Sequence, residues 1–255
     1  MYQELTVAVV IPAYQEERLI GATLKGLPNW VDEVIVIDDA SSDQTSQKVS
    51  ALYDTLPFPL HLIQHAYNQG VGQSILNGYK KAFQLKCDVA VVMGADAQMD
   101  PLEMPALLDH IIQGAVYVKG ERFSHAQVRQ RMPLLRYWGN RVLSAWTRWI
   151  SGDTNLQDAQ CGYTALKLSI LPTLPLQQIY PRYGFPNDFL LRVAEQEYSI
   201  AHCPITPIYG KETSTLSIPK VIIPISWILL RGWGRRIKLK FKRNWSSSAS
   251  SLPRA

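Results

Sequence analysis

Along the chain, short aliphatic runs alternate with longer stretches of mixed polarity. LTVAVVI (5–11), EVIVIDD (33–39) and LHLIQH (60–65) are strand-length and apolar almost throughout, and helix-length stretches follow them over 16–27, 43–53 and 71–86. Near-continuous apolarity marks strands covered on both faces, and a helix between consecutive strands is the crossover that parallel pairing requires. DVAVVMG (88–94) predicts a fourth buried strand and AVYVKG (115–120) a fifth, while GYTALKL (162–168) and SIAHCPI (199–205) predict two more with a helix over 188–197 between them. Ser42 or Asp43 stands where a cap for the second helix is needed, and Asp100 with Pro101 places a capping side chain before a proline at the first helical position. From 122 to 152 the pattern dissolves into a basic, Trp-rich stretch; the chain has no internal repeat, and 246–255 reads as disordered.

With 255 residues, 47% hydrophobic and 18% charged, the chain suits one α/β domain and excludes fibrous, disordered and polytopic membrane classes. Cys87, Cys161 and Cys203 lie far apart with no CxxC pair, which argues against a disulfide framework or structural zinc and fits a reducing compartment. The opening MYQELTVAVVIPAYQEE has no basic segment before its apolar run and then turns acidic, so it does not read as a signal peptide, and a cytoplasmic location is expected.

The net charge of +5 is a property of the tail. No acid follows Glu212, whereas nine Lys or Arg do, so residues 1–212 carry 17 basic and 21 acidic groups. IPKVIIPISWILL (218–230) is broken by Pro219 and Pro224. As a helix it reaches about 20 Å against roughly 30 Å of bilayer hydrocarbon, too short to span. RGWGRRIKLKFKRNW (231–245) then interleaves seven cations with Trp233, Ile237, Leu239, Phe241 and Trp245, a mixture that seats apolar side chains among lipid headgroups while cations meet anionic lipid. Residues 133–150 carry a similar mixture and predict an acceptor-side helix touching the same surface; both stretches also read as core or oligomer packing. The basicity is not spread over a folded face, so the expected partner is an anionic membrane surface and not nucleic acid. The expected organisation is a folded α/β domain over 1–215, a basic amphipathic membrane-associating segment over 216–245 and a disordered tail over 246–255.

Ligands of parallel α/β sheets bind beyond the carboxyl ends of the strands. Four polar groups fall there: PAYQE (12–16), DDASSD (38–43), NQGVG (68–72) and GADAQMDP (94–101). Asp96 and Gln98 offer hard oxygen donors of the kind that suits Mg²⁺ or Mn²⁺ shared with phosphates, and Asp96 reads equally well as a turn acid. Asp39 either accepts from a base or ribose or belongs to a capping cluster. Tyr14 offers a flat surface for a base and Glu16 an acceptor for ribose hydroxyls. The five histidines have no metal-ligand spacing, and Cys161 beside Gly162 reads as packing.

Taken together, VVIPAYQEE (9–17), VIVIDDASSDQT (34–45), YNQGVGQSILNGYKKA (67–82), VVMGADAQMDP (91–101), VKGERF (118–123) and DAQCGYTAL (158–166) resemble family 2 glycosyltransferases of the GT-A fold, in particular the polyprenyl (dolichyl) phosphate sugar synthase branch. The segments follow the family's order and spacing over residues 5–215. The resemblance implies a central, mostly parallel sheet and a nucleotide-diphospho-sugar donor held by Pro12, Tyr14, Glu16, Asp39, Ala95 and Asp96. It also implies Mg²⁺ or Mn²⁺ on Asp96 and Gln98, and a lipid phosphate acceptor. Arg122, Arg136 and Asn140 resemble the family's acceptor-phosphate contacts, and Lys211 on the YGKETS loop is a further candidate; each cation also reads as a solvated surface charge.

Asp158 resembles a family acid near the acceptor and also reads as a turn or cap acid; Asp158 and Arg122 are the residues the resemblance assigns to catalysis. Asp188 either faces the sugar or caps its helix. The family commonly shows DAD where this chain has Gly94-Ala95-Asp96, so the first acid is absent and Asp96 stands in the place of the metal-binding one.

The implied activity is metal-dependent, inverting transfer of one sugar to polyprenyl phosphate by a protein peripheral to the inner membrane face. Two alternatives stay open: transfer to a saccharide or glycolipid hydroxyl, with Asp158 as base, and a catalytically inactive membrane-bound homologue, to which Gly94 lends weight. PAYQEE in place of a glycine-rich loop after the first strand argues against nucleotidyltransferases and dinucleotide oxidoreductases.

Overall fold

A computed structural model describes residues 1–124, 128, 132, 134–206, 208 and 223–238. Seven strands, β1 (Val7–Ala13), β2 (Glu33–Asp38), β3 (Leu60–Gln64), β4 (Val89–Val92), β5 (Tyr117–Glu121), β6 (Thr164–Lys167) and β7 (Ile200–Pro204), form one sheet in the order β3-β2-β1-β4-β6-β5-β7. The first four pair in parallel; Val10 of β1, for example, lies between Ile35 of β2 and Val92 of β4. Only β6 runs against its neighbours, pairing antiparallel with both β4 and β5, while β5 and β7 are parallel.

The continuous apolar runs have the expected cause. Val7, Val9 and Ile11 face one core, shared with α1 (Ile20–Lys25), α2 (Thr45–Ser50) and α4 (Met104–Ile112). Ala8 and Val10 face another, shared with α3 (Val71–Gln84) and α6 (Phe185–Glu195). A third cluster joins Leu143 and Ile150 of α5 (Leu134–Ser151) and Leu191 of α6 to Ile225, Ile228 and Leu229 of a helix over 223–238, α7. The result is a three-layer α/β/α sandwich with the α5/α7 pair packed against α6. No helix among the described residues is long and apolar enough to cross a membrane.

The expected α/β architecture and mostly parallel sheet are present; the differences lie at element ends. The first regular helix begins at Ile20, not at residue 16; a turn leads into it, with the Glu16 carbonyl accepting the Leu19 and Ile20 N–H groups at 3.1 and 2.9 Å, while the N–H groups of Gln15, Glu16 and Glu17 are satisfied by Ser41 Oγ, Thr45 Oγ1 and Asp43 of the neighbouring loop. The helix expected over 188–197 begins three residues earlier, where Pro186 fits its first turn. Asp43 does receive the Thr45 N–H at 3.0 Å, and Asp100 the Leu102 N–H at 2.9 Å ahead of a 3₁₀ turn. The tail from 239 onward lies outside the described residues.

Replacing fully buried Leu107 by Ala removes a side chain packed between α4 and the sheet. We expect a loss of about 2–5 kcal/mol in urea unfolding. Leu102→Ala, at a position 77% exposed, is expected to stay within about 0.5 kcal/mol of the parent.

Candidate active site

The direction of chain crossover changes between β1 and β4, and the crevice that opens there is where a doubly wound sheet binds ligands. Here it is a cleft of about 510 Å³, lined by all six residues assigned to the donor from sequence, Pro12, Tyr14, Glu16, Asp39, Ala95 and Asp96. Asn68, Gly70, Val71 and Ser74, from the loop before α3, form another wall; Gly94, Arg182 and Tyr183 complete the lining.

Asp39 organises this edge. It ends up buried just past β2, where a carboxylate needs partners. It takes the N–H groups of Gln69 and Gly70 at 2.8 and 2.7 Å and lies 2.7 Å from His65 Nδ1. Asn77 Nδ2, 2.8 Å from the other His65 nitrogen, has its own Oδ1 bonded by Gln73. In that pattern Asn77 Nδ2 donates to His65 Nε2, and His65 Nδ1 donates to Asp39. Asp39 thus shapes the loop wall as well as lining the cleft. Its neighbour Asp38 takes the Ser41 N–H and the Ser46 hydroxyl, closing the turn that in turn holds Gln15 and Glu16.

At the end of β4, Asp96 Oδ1 receives the Gln98 N–H at 3.1 Å. A Cβ at Gly94 would lie 2.8 Å from that same oxygen, so the Asp96 carboxylate sits over the space a side chain at 94 would enter. Of the two residues assigned to a metal, Asp96 lines the cleft, whereas Gln98 is absent from its described lining. No group of three or more His, Cys, Asp or Glu that could cage a metal exists among the described residues. A hard cation that keeps waters and shares phosphate oxygens needs only one or two protein carboxylates, and Asp96 fits that donor set.

The antiparallel course of β6 brings the loop before it, DAQCGY (158–163), to the edge where β4 and β5 end. There Arg122 and Asp158 bind each other. Arg122 Nε and Nη2 donate to the two Asp158 oxygens at 2.7 and 3.0 Å, and the Arg122 and Gln160 N–H groups add to them. Burial alone would raise the Asp158 carboxyl. Arg122, by charge and hydrogen bonding, with Lys119 nearby, outweighs burial and holds it below the usual carboxylate range.

Lys119 is itself fully buried; its Nζ donates to the Cys161 carbonyl at 2.6 Å, and burial pushes its pKa down to about 8 against the pull of Cys161 and Asp158. Burial pushes the cysteine thiols up, Cys87 to about 12 and Cys203 to about 11, in keeping with packing roles.

The other assigned residues are placed less closely. Asn140 is half-buried on α5, and its Nδ2 reaches Met132 Sδ at 3.9 Å. Arg136 belongs to α5, but its side chain, like Lys211 as a whole, lies outside the described residues. Asp188 is not in the described lining of the cleft and does not cap its helix: it is buried in the first turn of α6, takes the Tyr180 N–H at 2.9 Å and pairs with Arg235 of α7 at 3.2 Å.

Sequence reasoning noted the NQGVG loop without giving it a role and missed Arg182 and Tyr183. These two lie in a loop with no motif, and an exposed Arg-Tyr pair before a helix carries no signal of its own.

Arg122→Ala would leave the Asp158 charge buried without its guanidinium. We expect about 3–5 kcal/mol of destabilisation at neutral pH by urea unfolding, largely recovered by the double change Arg122→Met with Asp158→Leu. A lowered folded pKa gives stability that is full above the ordinary carboxyl value of 3.8 and is lost as pH falls through the lower folded value, so the gap between parent and Arg122→Ala should narrow below about pH 4.

Comparison with known proteins bears on what this cleft does. A UDP-N-acetylglucosamine--dolichyl-phosphate N-acetylglucosaminyltransferase of Methanococcus voltae is 31% identical over 214 residues, covering 79% of this chain and 85% of its own. An undecaprenyl-phosphate mannosyltransferase of Micrococcus luteus is 30% identical over 205 residues, covering 79% and 83%. Among solved structures, glucosyl-3-phosphoglycerate synthase from Mycobacterium tuberculosis, in complex with Mn²⁺, UDP and glucosyl-3-phosphoglycerate, superposes with a TM-score of 0.69 over 91% of this chain and 81% of its own; at 19% identity the likeness is one of fold. The family model described as glycosyl transferase family 2 matches residues 8–172, nearly all of the sheet and the cleft. With the GT-A-like sheet, the strand-end cleft and these relatives in agreement, the chain belongs to glycosyl transferase family 2.

Proposed function

We propose that this glycosyltransferase moves one sugar from a nucleotide-diphospho-sugar to polyprenyl phosphate, with inversion, at the inner face of a membrane that it touches peripherally. The observation that carries the proposal is the single cleft at the switch point, in which Asp96 meets Pro12, Tyr14, Glu16 and Asp39. In this reading the β1 and β2 ends hold the nucleoside and Asp96 holds a divalent ion, with Gln98 turned toward Asp96 through its N–H. Mg²⁺ or Mn²⁺ there would neutralise the departing nucleoside diphosphate. Gly94 leaves that carboxylate in place, so the missing first acid does not remove it.

The Arg122–Asp158 pair favours a phosphate acceptor over a hydroxyl. A hydroxyl needs a base close to neutrality, and Asp158 is held well away from it by its partner. A phosphate arrives already anionic and needs cations that align it. Arg122, fixed by Asp158 at the end of β5, suits that task; Arg136, Asn140 and Lys211 are proposed to complete the acceptor site.

The membrane surface is supported by two exposed apolar stripes. Leu134, Trp138, Val142, Trp146 and Trp149 follow helical spacing along α5, and Ile223, Trp227, Leu230 and Trp233 do so along α7. Trp149 and Trp233 meet with ring centroids 6.2 Å apart, joining the stripes, and Arg231 stacks over Trp227 at 4.4 Å. Exposed Arg141, Arg148, Arg231 and Lys238 supply positive charge beside them. Such a patch, apolar with a cationic rim, matches an anionic lipid surface.

Transfer of radiolabelled sugar from UDP- and GDP-sugars to short polyprenyl phosphate tests the reaction. We expect product in the lipid phase, lost about a hundredfold or more with chelator or in Asp96→Ala, since a metal contributes several kcal/mol of charge stabilisation. Full activity of Asp96→Ala would overturn the metal assignment, and transfer only to hydroxyl acceptors would overturn the lipid phosphate. Trp146→Ala with Trp149→Ala is expected to weaken sedimentation with anionic liposomes while leaving transfer to a soluble short-chain acceptor intact.

A further inference from the structure

Among the described residues lining the cleft, three are acids, Glu16, Asp39 and Asp96, and one is a cation, Arg182. A nucleoside diphosphate brings two or more negative charges into that acidic surrounding. A bound divalent ion would offset part of them, and among the described lining residues Arg182 is the side chain that can add positive charge. Resting on the function proposed above, we propose that Arg182 is the group that binds the donor's diphosphate, and that it makes the cleft discriminate nucleoside diphosphates from nucleosides.

The guanidinium is held in position before any ligand arrives. Nη1 and Nη2 donate to Asn68 Oδ1 and to the Asn68 carbonyl at 3.1 and 3.2 Å, two of the five N–H groups that an arginine carries. Asn68 in turn reaches the Asp39 carbonyl at 3.4 Å, so the cation is referenced to the end of β2.

The backbone around it is pinned on several sides. The Pro181 carbonyl accepts the Gln73 N–H at 3.0 Å, the Arg182 carbonyl accepts the Phe185 N–H at 2.8 Å, and Tyr180 N–H is held by Asp188. Gly70, at φ +98°, allows this approach: a Cβ there would lie 2.6 Å from Arg182 Cγ and 2.7 Å from the Pro181 carbonyl. Cations fixed in advance bind phosphate oxygens without the entropy cost of ordering a long side chain.

The polyprenyl phosphate is the other phosphate that this cation could serve. The donor is favoured because Arg182 shares its cleft with Pro12, Asp39 and Asp96, whereas Arg122 and Asn140, on the acceptor side, are not in the described lining.

The test compares parent, Arg182→Gln and Arg182→Lys by calorimetric binding of UDP, GDP, uridine and guanosine with Mn²⁺, and by KM for short polyprenyl phosphate at saturating donor. Arg182 is exposed, so unchanged melting temperatures are expected. Arg182→Gln should weaken the preferred nucleoside diphosphate about ten- to hundredfold, the range for loss of charge-assisted hydrogen bonds, and leave the nucleoside and the lipid phosphate KM unchanged. Arg182→Lys should fall between the two.

Equal weakening of nucleoside and nucleoside diphosphate, or a rise confined to the lipid phosphate KM, would overturn the proposal. So would a parent that binds nucleoside diphosphate no better than Arg182→Gln does. A parent that binds no nucleoside diphosphate at all would instead overturn the donor cleft itself, and Arg182 with it.

Discussion

A buried carboxylate must be satisfied where it lies, and Asp39 is the one on which this cleft depends. It emerges at the end of an apolar strand, 3% exposed, and water cannot solvate it there. Its partners come from a loop some thirty residues away: two successive backbone N–H groups at 69 and 70, and His65. Meeting that need fixes where α3 begins, sets Gly70 in a left-handed conformation and brings Asn68 to the rim. A wall of the cleft is thus a consequence of one charge. Removing the charge would cost more than a contact with a ligand, because two N–H groups and an imidazole would be left without their acceptor.

The edge where β4 and β5 end obeys a related rule with a different solution. Asp158 is also buried, but its charge is balanced by a side chain, Arg122, held bidentately. A buried ion pair of this kind is weak evidence for stability and stronger evidence for fixed geometry. Here it joins the end of β5 to the loop before β6, two segments that meet only because β6 runs antiparallel to both neighbours. The polar chain continues inward from the same loop: Gln160 to Asn187 at 2.7 Å, and Asn187 to Thr147 of α5 at 2.7 Å. The loop that carries Asp158 is therefore tied to the helix that carries the tryptophan stripe.

How much of this was legible in the sequence follows from what each residue answers to. Pro12 lies near the end of β1, Tyr14, Glu16, Asp39, Ala95 and Asp96 lie just beyond apolar strands, and a parallel sheet delivers its strand ends to one edge. The pattern was enough to bring their segments together; their assignment to a donor came from the family resemblance. The ties of the segment before α1 were hidden, because the N–H groups of Gln15, Glu16 and Glu17 are satisfied by Ser41, Thr45 and Asp43, some 26 to 29 residues further on. Arg122 and Asp158 were each readable as functional, but their bond to each other was not, since it spans 36 residues and depends on the one reversed strand. Arg182 was the least visible: its partner Asn68 is 114 positions away, and nothing local distinguishes it from a surface arginine.

Helix α7 shows why the basic tail should not be considered apart from the catalytic domain. Its outward side carries Trp227, Leu230 and Trp233, while Ile225, Ile228 and Leu229 are buried against α5 and α6. Two arginines clamp it. Arg235 pairs with Asp188 and Glu195 of α6, and Arg236 donates to the carbonyls of Trp149 and Ile150 at the end of α5, where a cation also complements the helix dipole. Ile228 lies directly against Gly184, where a Cβ would have no room, and Asp188 holds the Tyr180 N–H. The turn over 180–184, which presents Arg182 and Tyr183 to the cleft, is therefore backed by the same helix that presents an apolar stripe outward. Interiors packed this closely transmit displacement instead of absorbing it. The far wall of the cleft and α7 therefore share contacts on two sides, through Ile228 against Gly184 and through Arg235 on Asp188.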